Sequence, residues 1–94
     1  MKVIFAPEAE QDLSAALEFL GARAPAAAVR MYTNVSDIVF RLAEGDFEGP
    51  EHRLRRGAIV RSWPVPPYRI YYQRDEDALR IVRIYHQARR PITR

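Results

Sequence analysis

Tyr68-Arg-Ile-Tyr-Tyr-Gln-Arg74 and Leu79-Arg-Ile-Val-Arg-Ile-Tyr-His86 decide the fold. Both runs are rich in β-branched and aromatic residues, and the tight Asp75-Glu76-Asp77 segment between them predicts a β-hairpin. Strand alternation separates Ile70 and Tyr72 from Arg69, Tyr71 and Gln73, and it separates Val82 and Ile84 from Arg83 and Tyr85. One side of this ribbon is apolar and should face a core. The other carries Arg69, Tyr71, Arg83 and Tyr85, with Arg89 and Arg90 following in the tail. Arginine neutralises phosphate and tyrosine offers a base a flat partner, so this side suits an anionic or nucleic-acid partner. Ordinary cross-strand packing of tyrosines under arginines would produce the same pattern.

Upstream, Pro66-Pro67 turns the chain, and Ala58 to Val65 reads as a third strand around Trp63. Pro64 cannot donate to a ladder, which places it on an edge or at the strand's end. Residues 45–57 are rich in breakers and charge and read as an ordered loop. Before them lie two helical patterns. Ala9, Leu13, Ala16, Leu17 and Leu20 form one stripe within residues 8–22, where Gly21 offers a stop. Ala28, Met31, Tyr32, Val35, Ile38, Val39 and Leu42 form the second, from Ala24-Pro25 to Gly45. Residues 2–6 are β-prone, and Pro7 suits a first helical turn with Glu8, Glu10 and Asp12 near its positive end. The whole reads as one α+β domain over residues 1–94, β-αα-βββ, with an N-terminal strand and a helical hairpin packed on one face of a mainly antiparallel sheet.

Ninety-four residues suffice for one domain, and 48% hydrophobic with 29% charged residues is ordinary globular composition. Cysteine is absent, which excludes disulfides and thiolate chemistry, and only His52 and His86 remain as soft-metal ligands, so no metal or other cofactor is expected. No apolar run approaches a bilayer span and no secretory leader is evident, so the expected compartment is the cytoplasm and no membrane partner is expected. The net charge of +3 is unevenly spread. Residues 1–50 hold four cations against eight acids, net −4, whereas residues 51–94 hold eleven arginines against four acids, net +7. A basic partner surface therefore belongs to the second half.

His86 ends the last strand with the parity of Val82 and Ile84, which favours a partly buried ring bonded to backbone over a general acid or base. His52 sits in the charged loop without a companion at catalytic spacing and is assigned to the surface. Phosphate-loop, dinucleotide and zinc-protease motifs are all absent.

Arg61-Ser-Trp-Pro-Val-Pro-Pro-Tyr-Arg-Ile-Tyr-Tyr-Gln73, followed by Ile81-Val-Arg-Ile-Tyr-His-Gln-Ala-Arg-Arg-Pro91, resembles the end of RelE/ParE-superfamily toxins of bacterial type II toxin-antitoxin systems. Pro7-Glu-Ala-Glu-Gln-Asp-Leu13 and Arg23-Ala-Pro-Ala-Ala-Ala28 are similar too, so the resemblance spans nearly the whole chain. It is closer to the ParE branch, whose members poison DNA gyrase, than to the RelE branch, whose members cleave messenger RNA on the ribosome. The ParE resemblance implies a toxin causing growth arrest or serving plasmid stabilization, with gyrase as target and a ParD-like cognate antitoxin as partner in a hetero-oligomer. It implies target contacts at Arg61, Arg69, Tyr71, Arg83, Tyr85, Arg89 and Arg90. Antitoxin contacts are implied at Leu13, Leu17, Leu20, Tyr32 and Trp63. In the RelE alternative Arg69, Arg83 and His86 would be catalytic, with ribosome and mRNA as partners. The chain departs from that pattern after Arg90, where Pro91-Ile-Thr-Arg94 lacks the tyrosine-bearing tail of RelE. A third alternative is a nontoxic binding domain of the same fold.

Overall fold

Two prolines set the helix starts. In the computed structural model, which describes residues 1–88, strand β1 (Lys2–Phe5) leads into helix α1 (Pro7–Arg23), and helix α2 (Pro25–Glu44) follows after Ala24 alone. Each proline stands at the beginning of its helix, where its missing N–H costs nothing. Helix α1 runs through Gly21 to Arg23 and does not stop at the glycine. Its end is set by Pro25, which drives Ala24 out of the helical region to φ −152° and ψ 81°. Gly45 ends α2 as expected, in the left-handed region at φ 80°, with its N–H bonded back to Leu42 O.

Four further strands follow: β2 (Glu51–Arg53), β3 (Ile59–Val65), β4 (Tyr68–Arg74) and β5 (Ala78–His86). The sheet order is β1-β5-β4-β3-β2, antiparallel except for the parallel pairing of β1 with β5. The α+β architecture is thus the expected one with a fifth strand inside the segment read as a loop. Glu51, His52 and Arg53 carry no β signature. They pair because Glu51 lies opposite Arg61, whose Nη2 donates to Glu51 Oε2 at 3.0 Å. Pro64 behaves as expected: the Ser62 N–H points to the β2 side, onto Pro50 O. Two residues on, the missing donor of Pro64 therefore falls beyond Glu51, the first residue of antiparallel β2.

Both helices lie on one face of the sheet. The core gathers Ala9 from α1, Met31, Val35, Val39, Leu42 and Ala43 from α2, and Val65, Tyr68, Ile70, Tyr72, Leu79, Ile81 and Ile84 from the strands. Leu13, Ala16, Leu17 and Leu20 pack against it as the first stripe requires. The second stripe holds except at Tyr32, which is 57% exposed. Simple alternation also fails at Val82. Tyr71 pairs with Arg83 but Tyr72 with Ile81, so Val82 is an extra residue in a bulge, and Ile81 takes the core place that Val82 was expected to share with Ile84.

The chain between α2 and β2 is pinned to the sheet from both sides. Buried Tyr72 donates its hydroxyl to Glu48 Oε1 at 2.9 Å and accepts from Gly49 N at 2.8 Å. Glu48 also accepts from Arg74 Nε and Nη2, and these bonds outweigh its partial burial and hold its carboxyl below the usual carboxylate range. A carboxyl whose folded pKa is depressed adds stability that is complete above its unfolded pKa and is lost as pH falls through the folded value. Urea midpoints should therefore fall on acidification below the carboxylate range, and fall less steeply in Glu48→Gln; equal slopes in the two proteins would show that this carboxyl is not coupled to folding.

Candidate functional site

Three surfaces carry the residues picked out above. The sheet face away from the helices bears Arg69 and Tyr71 from β4, Arg83 and Tyr85 from β5, and Ser62 from β3, in direct cross-strand register. The four expected side chains are thus brought together on one face, because register and alternation agree across all three strands.

Their environments differ sharply. Tyr71 is only 5% exposed, with the Tyr85 ring edge-on at 6.0 Å and the His52 ring at 5.8 Å. Burial raises its phenol pKa. Ser62, fully buried, is the polar hub: Arg69 Nη1 donates to its hydroxyl at 3.1 Å and His52 Nε2 lies 2.7 Å away. Burial and then the Arg69 charge lower the His52 pKa, which keeps the ring neutral at pH 7. A ring left unprotonated at Nε2 lets the Ser62 hydroxyl donate to it while accepting from Arg69, an assignment that accounts for both contacts of the hydroxyl. The short Ser-His distance is that of a nucleophile and its base, but an oxygen with no exposed surface cannot reach a substrate atom. The pair positions Arg69. His52 is therefore a half-buried sheet residue and not the surface histidine its loop context suggested.

Arg83 is held by α1. Asp12 accepts from Arg83 Nε at 2.8 Å and Nη2 at 3.0 Å, and its Oδ2 also accepts from Ile84 N at 2.9 Å. Strand β1 stops at Phe5, opposite Ile81, so the edge of β5 is open from there on and Asp12 supplies the missing acceptor. The Asp12 hydrogen bonds raise the Arg83 pKa, and the guanidinium lies 4.5 Å over the Tyr85 ring. Arg61 is likewise engaged, by Gly49 O at 2.7 Å and Glu51 at 3.0 Å. Arg89 and Arg90 lie outside the described residues.

His86 is placed elsewhere. It is exposed, pairs with Tyr68 of the core face, and accepts from Ala88 N at Nδ1. It lines an open cavity of about 530 Å³ with Asp12, Ala16, Phe19, Tyr68 and Ile84. Its parity is the expected one and its burial is not, because the space between α1 and the end of β5 is an open cavity and not closely packed. Arg69 and His86 thus stand on opposite faces of the sheet, and the trio Arg69, Arg83 and His86 does not converge on one point.

The third surface is an apolar groove of about 710 Å³ between the helices and β1, lined by Val3, Phe5, Leu13, Tyr32, Val39 and Phe40 among others. Of the expected antitoxin contacts, Leu13 and Tyr32 line it. Leu17 and Leu20 pack against the core, and Trp63 stacks on Phe47 at 4.2 Å between ring centres. Phe40, 63% exposed at the groove rim, was not singled out because it falls off the buried stripe. Asp12 and Ser62 also escaped the sequence reading, since each acts through a partner distant in the chain.

No described helix is long and apolar enough to cross a membrane. No curated protein sequence is significantly similar to the chain. Among solved structures, one described as the chromosomal ParDE TA system from P. aeruginosa matches with a TM-score of 0.70 and 19% identity, covering 92% of this chain and 95% of that one. At that identity the likeness establishes the fold. The family model described as ParE toxin of type II toxin-antitoxin system, parDE, matches residues 3–91, and this chain belongs to that family.

Proposed function

We propose that this ParE-family chain arrests growth by inhibiting DNA gyrase and is neutralised by a cognate antitoxin. The observation that carries the choice of a binding toxin over a nuclease is the division of Arg69 and His86 between opposite sheet faces. RNA cleavage needs a base at the 2′-hydroxyl, an acid at the leaving oxygen and cations at one phosphate, all within hydrogen-bond reach. Arg83 is moreover committed to Asp12. A protein that acts by occupying its target needs only a stable surface. The target side of the molecule is then the sheet face with Arg69, Tyr85 and the Arg83 rim.

The antitoxin side is the helical groove. Tyr32 and Phe40 stand exposed there beside Val3 and Leu13, and burying each large apolar side chain would contribute about 1.5–3 kcal/mol. Exposed rings in one groove suit an amphipathic segment that orders on binding. Purified chain should inhibit supercoiling by gyrase and accumulate cleaved DNA, with activity restored by the antitoxin encoded beside it. Supercoiling unimpaired at high toxin concentration would overturn the gyrase reading, and codon-linked cuts in a translation extract, abolished by Arg69→Ala, would replace it with the nuclease one.

A further inference from the structure

Strand β2 is three residues long, stands at the end of the sheet and pairs with β3 alone. Ser62 N bonds to Pro50 O and Leu54 N to Ala58 O, so by antiparallel alternation His52 and Val60 are the one hydrogen-bonded pair within β2. Two of its side chains hold it weakly: the Glu51 pair with Arg61 is solvent-exposed, and Arg53 reaches Gly57 O only at 3.4 Å. His52 is the exception, because its Nε2 lies 2.7 Å from the hydroxyl of fully buried Ser62.

That hydroxyl has a single proton. While the ring is neutral the proton goes to Nε2, and the oxygen accepts from Arg69 Nη1 at 3.1 Å. A proton on Nε2 turns the acceptor into a donor. The buried hydroxyl then loses its acceptor, and two cations converge on one oxygen, their nitrogens no more than about 6 Å apart. The neighbours of His52 on its own strand do not offset this charge, since alternation sends Glu51 and Arg53 to the opposite face. From β4 the ring meets Arg69 and Tyr71, and Tyr85 of β5 lies beyond Tyr71. We infer that His52 is an acid-sensitive latch, which fastens β2 to β3 while neutral and releases it when protonated. Burial and then the Arg69 charge hold the His52 pKa below its ordinary value, so the stability it adds is complete above the ordinary histidine range and is lost as pH falls through the folded value. Release carries the charged ring into water with one short edge strand and leaves the β3-β4-β5 ladders in place. The inference concerns β2 alone and does not depend on what the outer face binds.

The test is amide hydrogen exchange by NMR on the full chain near pH 7.5 and near pH 5, expressed as protection factors so that the intrinsic pH dependence of exchange cancels. The imidazole C–H shifts are followed through the same range to show when His52 charges. The His52 and Val60 amides, which report the docking of β2, should lose about tenfold or more of their protection at the lower pH, while amides of the β4–β5 ladder keep theirs. His52→Gln retains an acceptor for Ser62 and cannot charge, so its protection should be the same at both pH values. Arg69→Gln removes the neighbouring cation and should move the His52 titration upward. His86→Gln, at an exposed position, should lose protection as the parent does and keeps the test open if the His52 variant folds poorly. Four results would overturn the inference: protection unchanged while His52 charges, a ring that stays neutral throughout the range, an equal loss in His52→Gln, or a loss spread evenly over the whole sheet, which would mean global unfolding.

Discussion

Gly49→Ala is expected to lower the melting temperature by roughly 12–24 °C, corresponding to about 3 kcal/mol in a domain of this size. A Cβ on Gly49 would land on the backbone carbonyl of Ser62. That carbonyl belongs to β3, which is laddered to β4, so it has little room to retreat. Moving residue 49 instead would break the Gly49 N–H bond to Tyr72, the Arg61 bond to Gly49 O and the adjacent Ser62-Pro50 backbone bond. Buried Tyr72 would lose a donor, and Glu48 would be pulled away from Arg74. Far-UV circular dichroism during heating reads the effect directly. A melting temperature within a few degrees of the parent would mean that the segment does not press on the sheet as closely as described.

Asp12→Ala comes second. One carboxylate serves three donors, two on Arg83 and the Ile84 N–H, and its side chain is 12% exposed. Its removal strands an edge N–H of β5 and a charge that has lost its partner. A fully buried pair broken this way costs about 3–5 kcal/mol, but Arg83 keeps 31% of its side chain in water, so screening reduces the expected loss to about 2 kcal/mol. The double variant Asp12→Ala/Arg83→Met should recover part of that loss, since it removes the stranded charge, and a double-mutant cycle in urea should give a coupling of about 1 kcal/mol. Strict additivity would mean that helix and sheet are not joined through this pair.

These two residues illustrate what was legible in the chain and what was not. The hairpin from Tyr68 to His86, the helix begun by Pro25 and its end at Gly45 all rest on local signals that act within a few residues. The sharing of a sheet face by Arg69, Tyr71, Arg83 and Tyr85 was legible for the same reason, because alternation needs only the strand itself. Strand β2 was not legible, since Glu51-His52-Arg53 has no propensity to speak of and pairs through partners on β3. The bulge at Val82 escaped as well, being a property of the β4–β5 ladder and not of either strand alone.

The candidate sites divide along the same line. Sequence alone determined the layered architecture, the apolar stripes and the weight of positive charge in the second half, because periodicity and composition are written residue by residue. Tertiary structure alone decided which charges remain to meet another molecule. Arg83 is engaged by an acid 71 positions away, Arg61 by the chain around Gly49, and His86 is set on the face opposite Arg69. A guanidinium's availability depends on what lies within about 3 Å of it, and that distance is settled only when remote segments pack.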